Sequence, residues 1–206
     1  MSSLLLRGFV LGFAIAASPG PIFFLCVRRT LVQGRLYGLA SGFGVATADG
    51  FYAAIATFSI AVLASLFMSA HRPLAAIGGT VLLMLGFRTL LEKPMAAGAL
   101  KQPTAGGLTW AYLSTLGLTI TNPATIISFA ALAASLGLGT TGSLAKPAVV
   151  TFGVLLGSAA WWVCLAFGVS FLRHRMTLAV VRGISVFSGL AIVALGIVAV
   201  VSAFSG

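Results

Sequence analysis

Acidic side chains are almost absent from this chain, which has only Asp49 and Glu92 among its 206 residues. Charged residues of both signs make up 7% of the sequence, whereas soluble domains carry about 25%. Hydrophobic residues make up 60%, and the mean hydropathy is +1.15. A water-soluble fold could not cover this much apolar surface, so the composition predicts a protein of the lipid bilayer. The long continuous apolar runs favour membrane-spanning helices over strands, which would alternate in polarity.

Cysteine and histidine are also scarce, with two residues of each type. The sequence has no Cys-x-x-Cys pair and no Cys/His cluster, so it predicts no zinc or iron–sulfur site and no cofactor. No nucleophile has a partner base at a suitable spacing in the apolar segments, which argues against an intramembrane enzyme. We interpret Cys26 and Cys164, which both fall in apolar segments, as buried small hydrophobic residues.

Basic residues lie between the apolar segments, so the net charge of +10 indicates membrane topology rather than nucleic-acid binding. Three connections on one side carry nine of the twelve Lys and Arg residues, and the first of them would contain Arg28, Arg29 and Arg35. The opposite side has only Arg7, Arg72 and Lys146. The positive-inside rule therefore places the three basic connections in the cytoplasm and both chain termini outside.

Six apolar segments are each long enough to cross a bilayer, which takes about 20 helical residues. They cover residues 4–27, 38–67, 73–91, 108–137, 147–172 and 183–204. The hydrophilic stretch 92–107 is typical of a flexible cytoplasmic linker. The sequence thus predicts an all-α membrane protein with two three-helix repeats, residues 1–91 and 108–206. Because each repeat has three spans, the two repeats would be inverted relative to each other.

Likeness between the halves supports this division. Proline interrupts the first helix of each half, at Ser18-Pro19-Gly20-Pro21 in the first span and at Thr121-Asn122-Pro123 in the fourth. Phe43-Gly44-Val45 in the second span also matches Phe152-Gly153-Val154 in the fifth. Interrupted helices in corresponding positions of two halves typically mark the midplane binding site of a transporter.

Asp49 lies deep inside the second span, where an unpaired Asp costs about 2.5–3.5 kcal/mol and usually serves transport. The alignment of the halves pairs it with the neutral Ser158, and pairs Tyr52 with Trp161. We expect Asp49 to bind a proton, the ammonium group of a substrate, or each in competition. Tyr52, Trp161 and Trp162 would line the cavity or lie in the interfacial belt. The alternative is a structural role, in which Asp49 accepts local hydrogen bonds or pairs with Arg88.

Proline removes a backbone donor and clashes with the preceding turn, so Pro19 and Pro21 break the first helix. A short helix near Ile22–Thr30 would then direct its positive N-terminal end into the membrane interior, where a carboxylate can bind. The amide of Asn122 could add both a donor and an acceptor. The candidate binding and coupling residues are Ser18, Pro19, Gly20, Pro21, Asp49, Tyr52, Thr121, Asn122 and Pro123.

Glycine recurs at every fourth position in Gly34, Gly38 and Gly42, a spacing that lets two helices approach closely. This pattern predicts tight packing of the second span. The partner could be another helix of the same chain or a second copy in a homodimer.

Several of these motifs resemble the LysE/RhtB family of amino-acid exporters over nearly the whole chain. The matching residues are Ser18-Pro19-Gly20-Pro21, Gly34-Arg35, Gly38-Leu39, Gly42, Gly44, Asp49, Ile77-Gly78-Gly79, Leu85-Gly86 and Asn122-Pro123. The resemblance implies export of amino acids or close derivatives across the bacterial inner membrane, driven by the proton gradient. Two positions depart from the family: Ala124 stands where Lys is frequent, and Ala48 stands where Gly commonly precedes the acid.

Two alternatives remain at the level of the sequence. One is an exporter of inorganic cations such as cadmium, although two thiols and one membrane carboxylate make a poor soft-metal site. The other is a membrane assembly protein without transport activity. That role would explain the glycine spacing, but it would not explain Asp49 together with two broken helices.

Overall fold

The computed structural model of this chain describes residues 1–58, 70–91, 103–122, 125–126, 128–129, 144–173 and 177–204. Within these residues the regular elements are α-helices, as the composition predicted. They are α1 (Ser2–Ala16), α2 (Pro21–Gln33), α3 (Arg35–Thr57), α4 (His71–Leu91), α5 (Ala105–Ile120), α6 (Ala145–Arg173) and α7 (Leu178–Phe204).

Three of the described helices are long and apolar enough to cross a bilayer, at Arg72–Leu91, Ala145–Leu172 and Ala179–Phe204. The pair α1 and α2 forms a fourth candidate if it is counted as one bent span. Pro123, residues 59–69 and most of the predicted linker lie outside the described residues. The prediction of six spans therefore stays a prediction.

The predicted break in the first span is present between α1 and α2, whose axes are bent by 80°. The Ala17 N–H donates to the Phe13 carbonyl and completes the last turn of α1. Gly20 then adopts an extended conformation, with φ −150° and ψ −176°, and Pro21 occupies the first turn of α2. Proline suits that position because its missing N–H is not needed there.

Gly34 alone separates α2 from α3, with a φ of 104° that favours glycine. Arg28 and Arg29 therefore lie inside α2 and are only 6% and 5% exposed. Both fall in the short helix that the sequence predicted near Ile22–Thr30, which in the structure continues to Gln33. Their burial was not predicted. Arg35 begins α3, and its guanidinium carbon lies 4.6 Å from the ring centre of Phe167.

Helix α3 lies between α5 and α6, while α1 packs along α6 and α4 packs along α7. Gly44 and Gly153, which the two halves have in common, make equivalent approaches to a neighbouring helix. A Cβ atom added at Gly44 would press on Tyr112, Thr115 and Leu116 of α5. One added at Gly153 would press on Leu5, Gly8 and Phe9 of α1. Both sets of neighbours have the spacing i, i+3, i+4.

The interface between α4 and α7 also repeats one pattern of contacts. A Cβ atom added at Gly86 would meet the Val193 nitrogen and the Gly189 carbonyl of α7. One added at Gly196 would meet the Leu83 nitrogen and the Gly79 carbonyl of α4. Glycine is thus required on both helices because their backbones approach closely.

The buried core lies where α2, α3 and α6 meet, and includes Leu25, Cys26, Val45 and Trp162. Cys26 is buried as predicted, but Cys164 is exposed on α6, so that part of the prediction was wrong. In a membrane helix an apolar side chain can face either the interior or lipid, and hydrophobicity alone does not distinguish the two.

Candidate functional site

Asp49 lies in α3 with only 2% of its surface exposed, opposite the fully buried Ser158 of α6. The Ser158 hydroxyl donates a hydrogen bond of 2.6 Å to the Asp49 Oδ2 atom. Ser158 is the one hydrogen-bond partner of this carboxyl within the described part of the chain. The two residues that correspond in the alignment of the halves are thus in direct contact. The alternative pairing of Asp49 with Arg88 is not observed, since Arg88 lines a different cavity.

A cavity of about 110 Å³ adjoins Asp49. It brings together residues from α3, from both broken regions and from α6. Of the sequence-predicted residues, its wall contains Ser18, Pro19, Gly20, Pro21, Asp49 and Asn122. Side chains separated by more than 100 positions therefore share one small space.

The N-terminal end of α2 forms one wall of this cavity, through Pro21, Ile22 and Phe23. Gly20, which precedes this helix, has no side chain that could cap it. The first backbone N–H groups of a helix have no acceptor in the helix itself, so those of Ile22 and Phe23 can bind a ligand. The helix dipole adds about half a positive charge at this end.

The break after α5 contributes the opposite wall, through Thr119 and Asn122. The Asn122 N–H donates to the Thr119 carbonyl at 3.2 Å and so extends the hydrogen bonding of α5 by two residues. The Asn122 carbonyl then accepts the N–H groups of Thr125, at 3.1 Å, and Ile126, at 3.2 Å. Asn122 therefore connects the end of α5 to the described residues Thr125 and Ile126.

Thr121 and Tyr52 lie outside the wall of this cavity. The Thr121 hydroxyl donates to the Gly117 carbonyl at 3.0 Å, and its side chain lines a neighbouring cavity beside Gly78. The Tyr52 hydroxyl donates to the Ile120 carbonyl, and its ring stacks on Phe129. Tyr52 therefore holds the end of α5 in place. Pro123 falls outside the described residues.

The structure adds cavity residues that the sequence analysis did not identify. They include Thr119, Thr125 and Ser128. These three, together with Asn122, recur at every third position of the chain from 119 to 128. A polar residue at every third position of an apolar segment was the available signal. Trp162, for which the sequence left a cavity position and an interfacial position open, also lines this cavity.

The cavity combines a carboxyl group, a helix N-terminus and several hydroxyl or amide groups. Its volume of about 110 Å³ is somewhat below the roughly 150 Å³ of an engineered cavity that holds benzene. The arrangement suits a small ligand that carries a cationic group and an anionic group. Asp49 would meet the cationic group, and the N-terminus of α2 would meet the anionic one.

Comparison with known proteins gives a family for the chain. The family model described as LysE type translocator matches residues 13–203, a range that includes both helix breaks and Asp49. The chain is also similar to the protein named "Uncharacterized membrane protein YahN" of Escherichia coli (strain K12), with 26% identity over 152 residues. That alignment covers 72% of this chain and 67% of YahN. No solved structure matches the chain. Because the family match covers nearly all of its length, this chain belongs to the LysE type translocator family.

Proposed function

We propose that this protein exports amino acids or close derivatives across the bacterial inner membrane in exchange for protons. The observation that carries the proposal is the shared cavity of Asp49 and the N-terminus of α2. An amino acid presents an ammonium group and a carboxylate only a few ångströms apart. The cavity offers one group of suitable charge for each of them. Membership of a translocator family supports transport as the activity.

Coupling to protons would take place at Asp49. A proton and the substrate ammonium compete for the same carboxylate, so the site releases one when it takes up the other. The Ser158 hydroxyl would orient the carboxyl group in either condition, because it occupies only Oδ2. The described residues provide no hydrogen bond to Oδ1, and this oxygen is the one we assign to the proton or the ammonium.

Two inverted three-helix repeats, residues 1–91 and 108–206, are the architecture that we propose for this site. The equivalent approaches of Gly44 and Gly153, and of Gly86 and Gly196, support it. The contact between Asp49 and Ser158 supports it further. Residues that correspond in two repeats can meet only close to the axis that relates the repeats. The axis that relates inverted repeats lies in the membrane plane, so a carboxyl group on it would lie near the bilayer midplane, where such transporters bind their substrates.

Export of inorganic cations is the second candidate, and the cavity favours it less. Asp49 is the only carboxylate among the described residues that line the cavity, and none of them is a cysteine or histidine. A transition metal or cadmium ion would normally require several such ligands. An organic ammonium group needs only one carboxylate.

The test uses inverted membrane vesicles, in which outward transport appears as uptake. Asp49→Asn removes the charge and retains the shape, and we expect it to abolish proton-coupled uptake of amino acids. Glu92→Gln is the matched control, since it removes the chain's other carboxylate from the predicted linker. We expect this control to retain activity. Full proton-coupled transport by the Asp49→Asn protein would exclude Asp49 from coupling, and uptake of cadmium in place of amino acids would favour the second candidate.

A further inference from the structure

A further cavity, of about 140 Å³, lies between α4, α5 and α7. It adjoins the cavity beside Asp49, because Pro21 and Asn122 line both. Pro21 is the first residue of α2, and Asn122 lies just after the end of α5. A ligand held by Asp49 and the N-terminus of α2 therefore lies beside this further space.

The wall of this cavity is mainly apolar, and we call the space the apolar cavity. The described residues that line it include Gly79, Leu82, Leu118, Leu195, Val198 and Ala199. No described lining residue carries a charge. Three helices thus form a surface that favours the burial of hydrocarbon over the burial of charged groups.

Thr121 and Ser202 also line the apolar cavity, but their hydroxyl groups are already bonded to nearby backbone carbonyls. The Thr121 hydroxyl donates to the Gly117 carbonyl at 3.0 Å, and the Ser202 hydroxyl donates to the Ala199 carbonyl at 2.9 Å. Each hydroxyl has a single proton, so neither can donate to a ligand while these bonds are kept. The wall is therefore a poor match for a side chain that needs several hydrogen bonds.

The volumes of the two cavities indicate how a substrate would divide between them. The cavity beside Asp49 has about 110 Å³, which suits the ammonium and carboxylate groups of an amino acid but leaves little room for a bulky side chain. The apolar cavity, at about 140 Å³, approaches the roughly 150 Å³ of a cavity that holds benzene. It therefore has room for a branched hydrocarbon side chain of about four carbon atoms.

We propose that the apolar cavity binds the side chain of the exported substrate, and that this substrate is an amino acid with an uncharged aliphatic side chain. The inference rests on the proposed function, because it names the substrate class of the Asp49 site. The side chain extends past Pro21 and Asn122 into the apolar cavity, where its burial stabilises the bound state. A charged side chain would lose its hydration there without gaining an opposite charge from the described wall.

An acyl chain of the bilayer is the competing occupant, because the apolar cavity reaches Val198, which is 63% exposed on α7. Two observations favour the substrate. The cavity borders the Asp49 site at Pro21 and Asn122, and its volume matches a side chain rather than a long hydrocarbon tail.

The test measures uptake by inverted membrane vesicles that contain the full-length protein, at a fixed pH gradient. Leucine and asparagine form one substrate pair, because their side chains have nearly the same size and shape but differ in polarity. Leucine and alanine form a second pair, which differs in the size of the hydrocarbon side chain. Each result is a ratio of kcat/KM values from one preparation, so differences in the amount of folded protein cancel.

Three variants test where the side chain binds. Ala199→Val reduces the apolar cavity, and Leu195→Ala enlarges it. Ala203→Val is the matched control, because Ala203 is also a buried alanine of α7 but is not among the described residues that line the cavity.

We expect the wild type to prefer leucine over asparagine about tenfold or more, because an amide buried in the apolar cavity loses its bonds to water. It should prefer leucine over alanine about tenfold or more. Ala199→Val should lower the ratio of leucine to alanine about fivefold or more, and Leu195→Ala should raise the uptake of phenylalanine relative to leucine. Ala203→Val should change neither ratio.

Equal transport of leucine and asparagine by the wild type would overturn this inference and leave the proposed function standing. Unchanged ratios in both Ala199→Val and Leu195→Ala would also overturn it, and would leave the apolar cavity to lipid. If the wild type takes up no amino acid, the proposed function fails and this inference fails with it.

Discussion

Gly157 and Gly168 lie about three turns apart on α6 and have opposite surroundings, so they form a matched pair for testing the packing of this fold. A Cβ atom added at Gly157 would lie 2.8 Å from the Phe13 nitrogen and 2.8 Å from the Phe9 carbonyl carbon. Both are backbone atoms of α1, which cannot rotate away as a side chain could. Within the described part of the chain, a Cβ atom added at Gly168 would meet nothing within 4 Å. We therefore compare Gly157→Ala with Gly168→Ala.

Both substitutions favour the helix by about 0.5–1 kcal/mol, because alanine restricts the unfolded backbone more than glycine does. This contribution is the same at the two positions and cancels from the comparison. Overpacking at Gly157 costs about 1–3 kcal/mol. In a chain of this size, 1 kcal/mol changes the unfolding midpoint by about 2–4 °C. Gly157→Ala should therefore unfold roughly 2–12 °C below Gly168→Ala.

Tryptophan fluorescence of the detergent-solubilised proteins would record the two unfolding midpoints in parallel. Transport assays on the same variants provide a second measurement. Gly157 precedes Ser158, whose hydroxyl holds the Asp49 carboxyl, so a displaced α6 should also impair transport in Gly157→Ala alone. Equal midpoints for the two variants would refute the close approach of α1 and α6. Normal transport with a lowered midpoint would show that weaker packing of α1 against α6 does not impair the Asp49 site.

Two further substitutions test single features. Tyr52→Phe removes the donor to the Ile120 carbonyl and should lower the free energy of unfolding by about 1 kcal/mol, which chemical denaturation would measure. Tyr112→Phe is the control: it removes an exposed hydrogen bond to the Thr47 hydroxyl, so we expect a smaller change. Gly34→Ala forces a side chain onto a φ of 104° and should cost about 1–3 kcal/mol. Gly117→Ala is the control, because a Cβ atom added at Gly117 would meet no described atom within 4 Å, and we expect no loss of stability. Equal unfolding midpoints for the Gly34→Ala and Gly117→Ala proteins would contradict the argument from the backbone angle.

The helix break at Pro19-Gly20-Pro21 was predictable because its cause is local. Proline lacks a backbone donor whatever its surroundings, so two prolines on either side of a glycine interrupt the hydrogen bonds of a helix. The short helix predicted near Ile22–Thr30 is also present, and α2 extends it to Gln33. The burial of Arg28 and Arg29 was not predictable in the same way, because the acceptors that hold Arg29 inside the structure come from α3 and α5. A sequence window around Arg29 contains none of these partners.

The members of the candidate site were predictable to different degrees. Asp49 and Asn122 stand out in the sequence because polar groups in apolar segments are costly, and both line the cavity. Thr121 and Tyr52 are just as conspicuous, but their hydroxyls bond backbone carbonyls near the end of α5. Which way a side chain points at a helix end depends on the neighbouring helices, and the spacing of residues does not contain this information.

The amino-acid sequence by itself determined the membrane environment, the helical class, the break in the first span and the isolation of one acid in an apolar segment. Each of these follows from the hydrophobicity or backbone chemistry of residues close together in the chain. Only the tertiary structure decided that Ser158 is the partner of Asp49, that the N-terminus of α2 shares a cavity with it, and that the apolar cavity adjoins this site. These arrangements join residues from distant helices, and they depend on how closely the glycine faces allow those helices to approach.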